Sequence, residues 1–323
     1  MTSSGRWALG LLAAVHLAAT AAGFLAPYAP LEQDRMRPWA PPTRIRFVDA
    51  EGRFHWRPFV YAAREDEGGP GAYPEDTSRA YPLRFFVAGR LVGVEEPARL
   101  FLLGSDGLGR DQLSRLLHGA QVSLAAGLLA AAIALALGWT LGTAAGFHGG
   151  WVDAGTMRAA DVFLALPWLY LLLGVRAALP LHVPPAQALL MIVAVIGLVD
   201  WARPARLVRG VVLSQRERGY VLAARGFGAT DLHLVRRHIL PHTVPLLLTQ
   251  AALLVPQYIL AEMTLSFLGL GVSEPAPSWG NMLAPLQQYA VLAGYWWMWA
   301  PALALVPVFL AYFVLSESLS RST

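Results

Sequence analysis

Three histidines, His233, His238 and His242, follow one another at spacings of five and four, which raises the question of a metal site. Arg236 and Arg237 stand among them, and a cluster of positive charge repels a divalent cation, so no metal is expected. The chain has no cysteine, which excludes disulfides and Cys-based metal or redox centres. All 25 basic residues are arginine, and without lysine the Gly-rich loop that cradles ATP phosphates cannot be built. Any nucleotide-driven work must come from a partner. His55 and the carboxylates around it form no convergent nucleophile, acid and base set. What is left is Glu262, an ionisable group in an apolar stretch, costly in a bilayer and by default functional. It reads either as part of a translocation path or subunit pairing, or as a group close to the outer interface. Asp161 and Asp200, at inner ends of apolar segments, read as interface anchors.

The elements that must hold these groups follow from composition. Hydrophobic residues fill 56% of 323 positions and charged ones 14%; mean hydropathy is +0.47, outside the range of a soluble globular chain. The chain therefore reads as a membrane protein. Its formal charge of +4 does not imply nucleic acid, because loop arginines in so apolar a chain set orientation in the bilayer. A helix crosses the hydrocarbon with about 20 apolar residues, and six segments qualify: 7–26, 120–146, 161–179, 186–201, 243–268 and 295–315. The first also has the layout of a secretory leader, with Arg6, an apolar run and Ala19-Thr20-Ala21, but its continuation to Ala26 favours an uncleaved anchor. Ala126, Gly127, Ala130, Ala134 and Gly138 give the second span the small side chains of close helix packing.

Between the first two spans, residues 27–119 hold thirteen arginines and thirteen acidic residues, the mark of a soluble insertion. TRIRFV and RFHWRPFV flank Asp49-Ala50-Glu51-Gly52, and YPLRFFVAGRLVGV is rich in β-branched and aromatic residues, so short strands with a hairpin are expected. A loop is expected over 68–74. The insertion is either a cap over an outer mouth or a contact for an external binding protein, and its residues do not choose between them. Eight arginines, at 203, 206, 209, 216, 218, 225, 236 and 237, lie in the loop 202–242, and none in 269–294. The first loop is then cytoplasmic, with both termini inside and the insertion outside. Within it, residues 211–226 read as a helix and Gly226-Phe227-Gly228 as its break. Thr230 or Asp231 caps a second helix that Pro241 ends. Leu232, Val235 and Ile239 form an apolar stripe on that helix, with His233, Arg236 and Arg237 around it.

YVLAARGFGATDLHLVRRHILPH (220–242) resembles the coupling loop of ATP-binding-cassette importer permeases. That pattern runs Glu-Ala-Ala, three residues, Gly, then an Ile-x-Leu-Pro ending; Ala223, Ala224, Gly228, Leu240 and Pro241 fill its places. LGSDGLGRDQLSRLLHGAQVSLAAG (103–127), GFHGGWVDAGTMRAADVFLALP (146–167) and AEMTLSFLGLGVSEPAPSWGNML (261–283) resemble the dipeptide, oligopeptide and nickel branch of these permeases, in its order, over most of 100–316. The resemblance implies that Ala223, Ala224, Arg225, Gly228, Ala229 and Asp231, followed by Arg236, Arg237, His238, Leu240 and Pro241, couple the chain to an ATPase. It also implies that Glu262 and Ser266 belong to the translocation path. Leu222 stands where the family has glutamate, which removes a salt link worth about 0.2–1 kcal/mol. His238 stands where an apolar residue is common, and 27–100 lies outside the resemblance.

The expectation is an all-α membrane protein of six transmembrane helices, with a cytoplasmic coupling helix-turn-helix and a small β-containing periplasmic insertion between helices 1 and 2. Residues 1–26 are the anchor, 27–100 the insertion and 101–323 a five-span core with coupling loop 202–242. The resemblance implies an inner-membrane permease subunit of an ATP-driven importer for peptides or similar small solutes, forming half of a pore that works by alternating access. It is no enzyme and holds no cofactor; ATP and magnesium belong to two cytoplasmic ATPase subunits. The other implied partners are a homologous second permease chain, an extracytoplasmic solute-binding protein and membrane lipid, with no nucleic acid. The rival, an ion-coupled secondary transporter with Glu262 and Asp161 as carriers, predicts inverted repeats, and no convincing repeat is seen.

Overall fold

The computed structural model describes residues 2–63, 73–178, 180 and 183–321. Most of the expected loop 68–74 and the end of the expected span 161–179 lie outside them. Backbone polar groups can be satisfied in hydrocarbon only within a helix or closed barrel, and this chain coils. In order, the helices begin with α1 (Ser3–Thr20), α2 (Ala22–Leu25), α3 (Gln112–His148), α4 (Gly150–Ala165), α5 (Trp168–Ala177), α6 (Pro185–Val199) and α7 (Ala202–Arg216). They continue as α8 (Gly219–Gly226), α9 (Asp231–His233), α10 (Leu240–Phe267), α11 (Trp279–Leu283), α12 (Tyr289–Gly294) and α13 (Ala300–Ser320).

Among the described residues, three helical runs are long and apolar enough to cross a membrane: Gln112–His148, Asp231–Phe267 and Trp296–Ser320. A fourth is added if α6 and α7, bent by 43°, count as one span. The 37 residues of α3 extend about 55 Å, longer than the roughly 30 Å that a straight crossing of hydrocarbon needs. The expected span 161–179 is not one helix. Leu166 is extended between α4 and α5, because the ring of Pro167 crowds the preceding residue out of the α region. The expected span 7–26 is helical as α1 and α2, interrupted at Ala21.

The chain divides into two compact units. The first takes residues 1–13, 124–265 and 307–323. Its packing depends on small residues: Ala126, Ala130 and Ala134 of α3 are fully buried. A Cβ on Gly127 would lie 2.5 Å from Ile259 of α10, and one on Gly197 of α6 would lie 2.7 Å from Ile133. The backbone Thr2 N–H donates to Ser318 Oγ at 3.1 Å, joining the start of α1 to the end of α13.

The second unit takes residues 14–123 and 266–306. Strands β1 (Arg46–Val48), β2 (Phe54–Ala63) and β3 (Glu75–Pro82) form an antiparallel sheet in that order, and β4 (Arg84–Val87) pairs with β5 (Arg90–Gly93). The expected hairpin at 49–52 forms: Asp49 Oδ1 accepts from the N–H of Glu51 (3.0 Å) and of Arg53 (2.9 Å), while Gly52 takes φ +81°. His55 belongs to this turn, with Nε2 2.9 Å from Asp49 Oδ2. Its hydrogen bond, with those from Arg53, holds the Asp49 carboxyl well below its usual range. Val60, Ala62, Tyr81, Leu83, Ala98 and Leu100 make the core behind the sheet.

Two of the quoted motifs lock together in this unit. Asp106 Oδ1 accepts from the N–H of Leu108 (2.9 Å) and Arg110 (3.0 Å), closing the Gly-rich turn. Arg110 then donates to Asp106 Oδ2 (2.7 Å) and Glu274 Oε2 (2.6 Å), and the buried Arg115 donates to Glu274 Oε1 (2.7 Å). The Trp279 indole donates to the Leu116 carbonyl at 3.0 Å. Ser278 and Asn281 form a reciprocal capping box at the start of α11. Asp111 caps α3, accepting from the Ser114 N–H at 2.7 Å.

Burial pushes the Asp111 carboxyl up to about 6, against the hydrogen bonds from Ser114. The folded chain therefore binds the extra proton between the ordinary value of 3.8 and about 6, and this group's contribution to stability falls as pH rises through that window. Asp111→Asn keeps a good cap and abolishes the titration. Its melting temperature relative to the parent chain, followed in detergent by thermal unfolding, is expected to climb through that window and level off above it. A difference that stays flat with pH would refute the assignment.

Candidate functional site

The site expected from the sequence is the segment from α7 to the start of α10, and its mount is α7 itself. Gly138, Gly142 and Gly146 recur every four residues along one side of α3, opposite α7. A Cβ on Gly138 would lie 2.5 Å from Pro204 Cβ, one on Gly142 2.4 Å from the Ala205 carbonyl oxygen, and one on Gly146 2.9 Å from Val212 Cβ. Only hydrogen fits there, so two backbones meet as in small-xxx-small helix pairs. Pro204 is tolerated because it falls in the first turn of α7, and Ala202, Ala205, Val208 and Val212 complete the buried side.

Polar contacts finish the mount. Arg209 grips Asp153 of α4, with Nη2 to Oδ2 at 2.5 Å, and Arg206 pairs with Asp161. Arg216 donates to the carbonyls of Phe147 (3.0 Å) and Gly146 (3.3 Å) at the end of α3, where unpaired carbonyls and the helix dipole favour a cation. Asp200 accepts from the Tyr258 hydroxyl at 2.9 Å. Asp161 and Asp200 thus both have protein partners.

The single helix expected over 211–226 is instead two. α7 ends at Arg216, Arg218 is extended, and α8 begins at Gly219. The break lets Val221 turn inward to a cluster with Phe147, Val208, Val212, Leu234 and Ile239, so packing overrides the local helical pattern. The break expected at Gly226-Phe227-Gly228 forms. Gly228 takes φ +86°, its N–H donates to the Arg225 carbonyl (3.0 Å), and the Ala229 N–H donates to the Ala224 carbonyl (3.1 Å). Those two bonds define a Schellman motif, with glycine in the left-handed position and Ala224 packed against the same cluster as Ala229. Thr230 caps the next turn, its Oγ1 accepting from the His233 N–H at 3.4 Å.

Pro241 does not end the second helix. Residues Leu234–Ile239 form π turns, and the helix continues through Pro241 to Phe267. In a regular α-helix a proline at 241 clashes with the carbonyl four residues back; the wider π turns directly before it relieve that clash. The same widening changes which residues face in. Leu234 and Ile239 are fully buried and Val235 partly so, whereas Leu232 of the expected stripe is 66% exposed.

Outward, α8 and the elbow present Leu222, Ala223 and Gly228, with Phe227 93% exposed, beside Arg225. Arg225 lies 3.7 Å from Asp231 and stacks over the Phe147 ring at 5.7 Å. Arg236 and Arg237 are exposed and have no ion pair among the described residues. His238 packs edge-on to His233, ring centres 5.5 Å apart. Leu240 is partly buried. This is an exposed surface that is both apolar and basic. Elsewhere, Glu262 is fully buried within α10. In the other unit, Ser266 Oγ accepts from the Val272 N–H at 3.0 Å.

The exposure of Phe227 escaped sequence reasoning, as did the continuation of the Gly138 packing signal through Gly142 and Gly146, although the four-residue recurrence in LGWTLGTAAGFH was a signal for it. Residues 136–323 match the family described as binding-protein-dependent transport system inner membrane component, and the chain belongs to that family. The dipeptide transport system permease protein DppC of Bacillus subtilis is 38% identical over 217 residues, covering 67% of this chain and 66% of that protein. The glutathione transport system permease protein GsiD of Pectobacterium atrosepticum is 35% identical over 225 residues, 70% of this chain and 72% of that one. Among solved structures, the inward-facing MetNI methionine ABC transporter aligns with a TM-score of 0.47 and 18% identity, over 64% of this chain and 96% of that one.

Gly142→Ala should cost about 1–3 kcal/mol, the range for overpacking a tight contact, because its Cβ meets backbone that cannot rotate away. A lowered melting temperature of the purified protein checks this; an unchanged one would mean that α3 and α7 are not held this close.

Proposed function

We propose that the chain is the permease subunit of an ATP-driven importer for peptides or similar small solutes, and that the surface over 219–237 receives a cytoplasmic ATPase. The observation that carries this reading is the way the elbow is mounted. On one side it is bound through α7 to the glycine series of α3, and on the other it runs without interruption into α10. A displacement at Phe227 therefore has two stiff paths into long apolar helices. Nucleotide state can shift the pore only through a difference in contact energy between its two conformations, and the elbow is where that difference enters.

In this reading the chain crosses the membrane six times, counting 3–25, the broken segment ending in α5 and the bent α6 and α7 beside the three long runs. Both termini are cytoplasmic and 27–100 lies outside, supported by the arginines of 202–242. The chain is half of the pore, completed by a homologous permease chain. Two ATPase subunits carry ATP and magnesium, an external binding protein delivers the solute, and this chain has neither cofactor nor ATPase site. The peptide permease relatives support the solute class. Coupling falls to Ala223, Ala224, Arg225, Gly228, Ala229, Asp231, Arg236, Arg237, His238, Leu240 and Pro241. Glu262 is assigned to the path, with Ser266 shaping the end of α10 near it in sequence.

Gly228→Val forces a β-branched residue into a left-handed conformation at about 1–2 kcal/mol, enough for about a tenfold loss of coupled uptake, with membrane insertion unchanged. Arg236→Ala combined with Arg237→Ala should lower recovery of the ATPase in detergent pull-downs. Full uptake in the first variant and undiminished recovery in the second would remove the elbow as the docking surface. Glu262→Gln should change solute uptake while the ATPase still co-purifies; uptake at the parent rate would take Glu262 off the path.

A further inference from the structure

The hairpin β4–β5 has an outward strand that its unit does not cover. Arg84, Phe85, Phe86 and Val87 of β4 are all exposed, Phe86 to 74%, whereas Val92 of β5 packs on the core formed by Val60, Leu83 and Leu100. The backbone is bent to achieve this. Phe86 takes φ +57°, a conformation that a bulky residue avoids, and the turn continues with Ala88 at +51° and Gly89 at +75°. A two-stranded ribbon in water is marginal alone, and one that spends strain to expose two phenylalanines needs another surrounding.

Its position identifies that surrounding. The Phe86 ring centre is 6.2 Å from that of Phe24, and the Arg90 guanidinium donates to the Pro27 carbonyl. Phe24 lies in α2, at the end of the first apolar helical segment, and Leu17 of α1, before the interruption at Ala21, is 67% exposed. Exposed apolar side chains thus occur both on the first helical segment and on the hairpin, which meet at Phe24 and Phe86. Where a spanning helix leaves the hydrocarbon, aromatic rings settle at the headgroup boundary, and apolar groups bury about 5–10 Å into it. Arg84 pairs with Glu95 at 2.8 Å and Arg90 is held by the Pro27 carbonyl, so what the hairpin leaves unengaged is its apolar side chains.

We propose that the β4–β5 hairpin is a membrane anchor, with Phe85, Phe86 and Val87 seated in the headgroup boundary of the leaflet that faces the 27–100 segment. This rests on the reading of residues 3–25 as a span. The hairpin ties the extramembrane sheet to the bilayer plane and so fixes the sheet's height above the membrane. The ligand class is phospholipid, recognised by insertion of the apolar side chains into the headgroup boundary.

The full chain has no cysteine, so single-cysteine variants give unique labels. Phe86→Cys, Leu17→Cys and Glu51→Cys are each spin-labelled and reconstituted in vesicles of phosphatidylcholine and phosphatidylglycerol, and collision rates with oxygen and a water-soluble nickel chelate are measured. The label at position 86 should show an oxygen-to-nickel ratio several-fold above that at position 51, on the exposed β1–β2 turn, and below that at position 17. A ratio equal to that at position 51 would place the hairpin in water. A label shielded from both reagents would place it in a protein contact. Either result overturns the anchor. Free access of nickel to position 17 would overturn only the span reading, and position 86 would still decide the hairpin.

Discussion

The contact between α3 and α7 is backbone against backbone, and the placement of the segment from α8 to the start of α10 depends on it. Gly138, Gly142 and Gly146 leave no side chain between the helices, so α7 has one seating and little freedom to slide. Close-packed interfaces transmit displacement where loose ones absorb it. The ion pairs from Arg206 and Arg209 and the two carbonyl contacts of Arg216 add direction to that seating. They bring the end of α7 to the end of α3, where Phe147, Val208 and Val212 form the seat for Val221, Leu234 and Ile239. A larger residue at 142 would lift α7 away and dissolve that seat.

The elbow itself meets two opposed demands. Between α8 and α9 the chain must turn sharply, which the Schellman bonds at Ala224, Arg225, Gly228 and Ala229 accomplish with one left-handed glycine. A few residues later it must not turn, despite a proline. The π turns over Leu234–Ile239 take up the clash, and the helix reaches Phe267 unbroken. The turn is therefore local and the stiffness extends far along α10.

Much of this was legible in the sequence. The apolar runs, the arginine-rich loop, the Asp49 hairpin and the Gly226–Gly228 break are local signals, each fixed by residues within a few positions. The misreadings have nonlocal causes. Val221 had to reach a core contributed by α3 and α7, so the helix read over 211–226 broke at Arg218. Pro241 reads as a stop signal in any window that cannot register a π turn, and the inward stripe was misassigned with it, because Leu234 and Ile239 are five apart rather than three or four. Pro167, by contrast, was a visible stop inside the expected span 161–179, and hydropathy alone passed over it.

In the proposed docking, apolar contact offsets the pair lost where Leu222 stands in place of the glutamate that the resemblance implies. Of the loop's arginines, 206, 209 and 216 are committed to contacts within the chain, while 236 and 237 remain exposed without ion pairs among the described residues. An exposed salt link is worth about 0.2–1 kcal/mol. Burying an exposed Phe or Leu side chain in a partner's groove is worth about 1.5–3 kcal/mol, and Phe227 and Leu222 are 93% and 54% exposed. Apolar contact therefore outweighs the lost pair even if only one of the two side chains is covered. In the proposed docking the remaining arginines would serve orientation and encounter, which long-range charge does well, while holding the partner would fall to Phe227, Leu222 and the glycine turn that aims them.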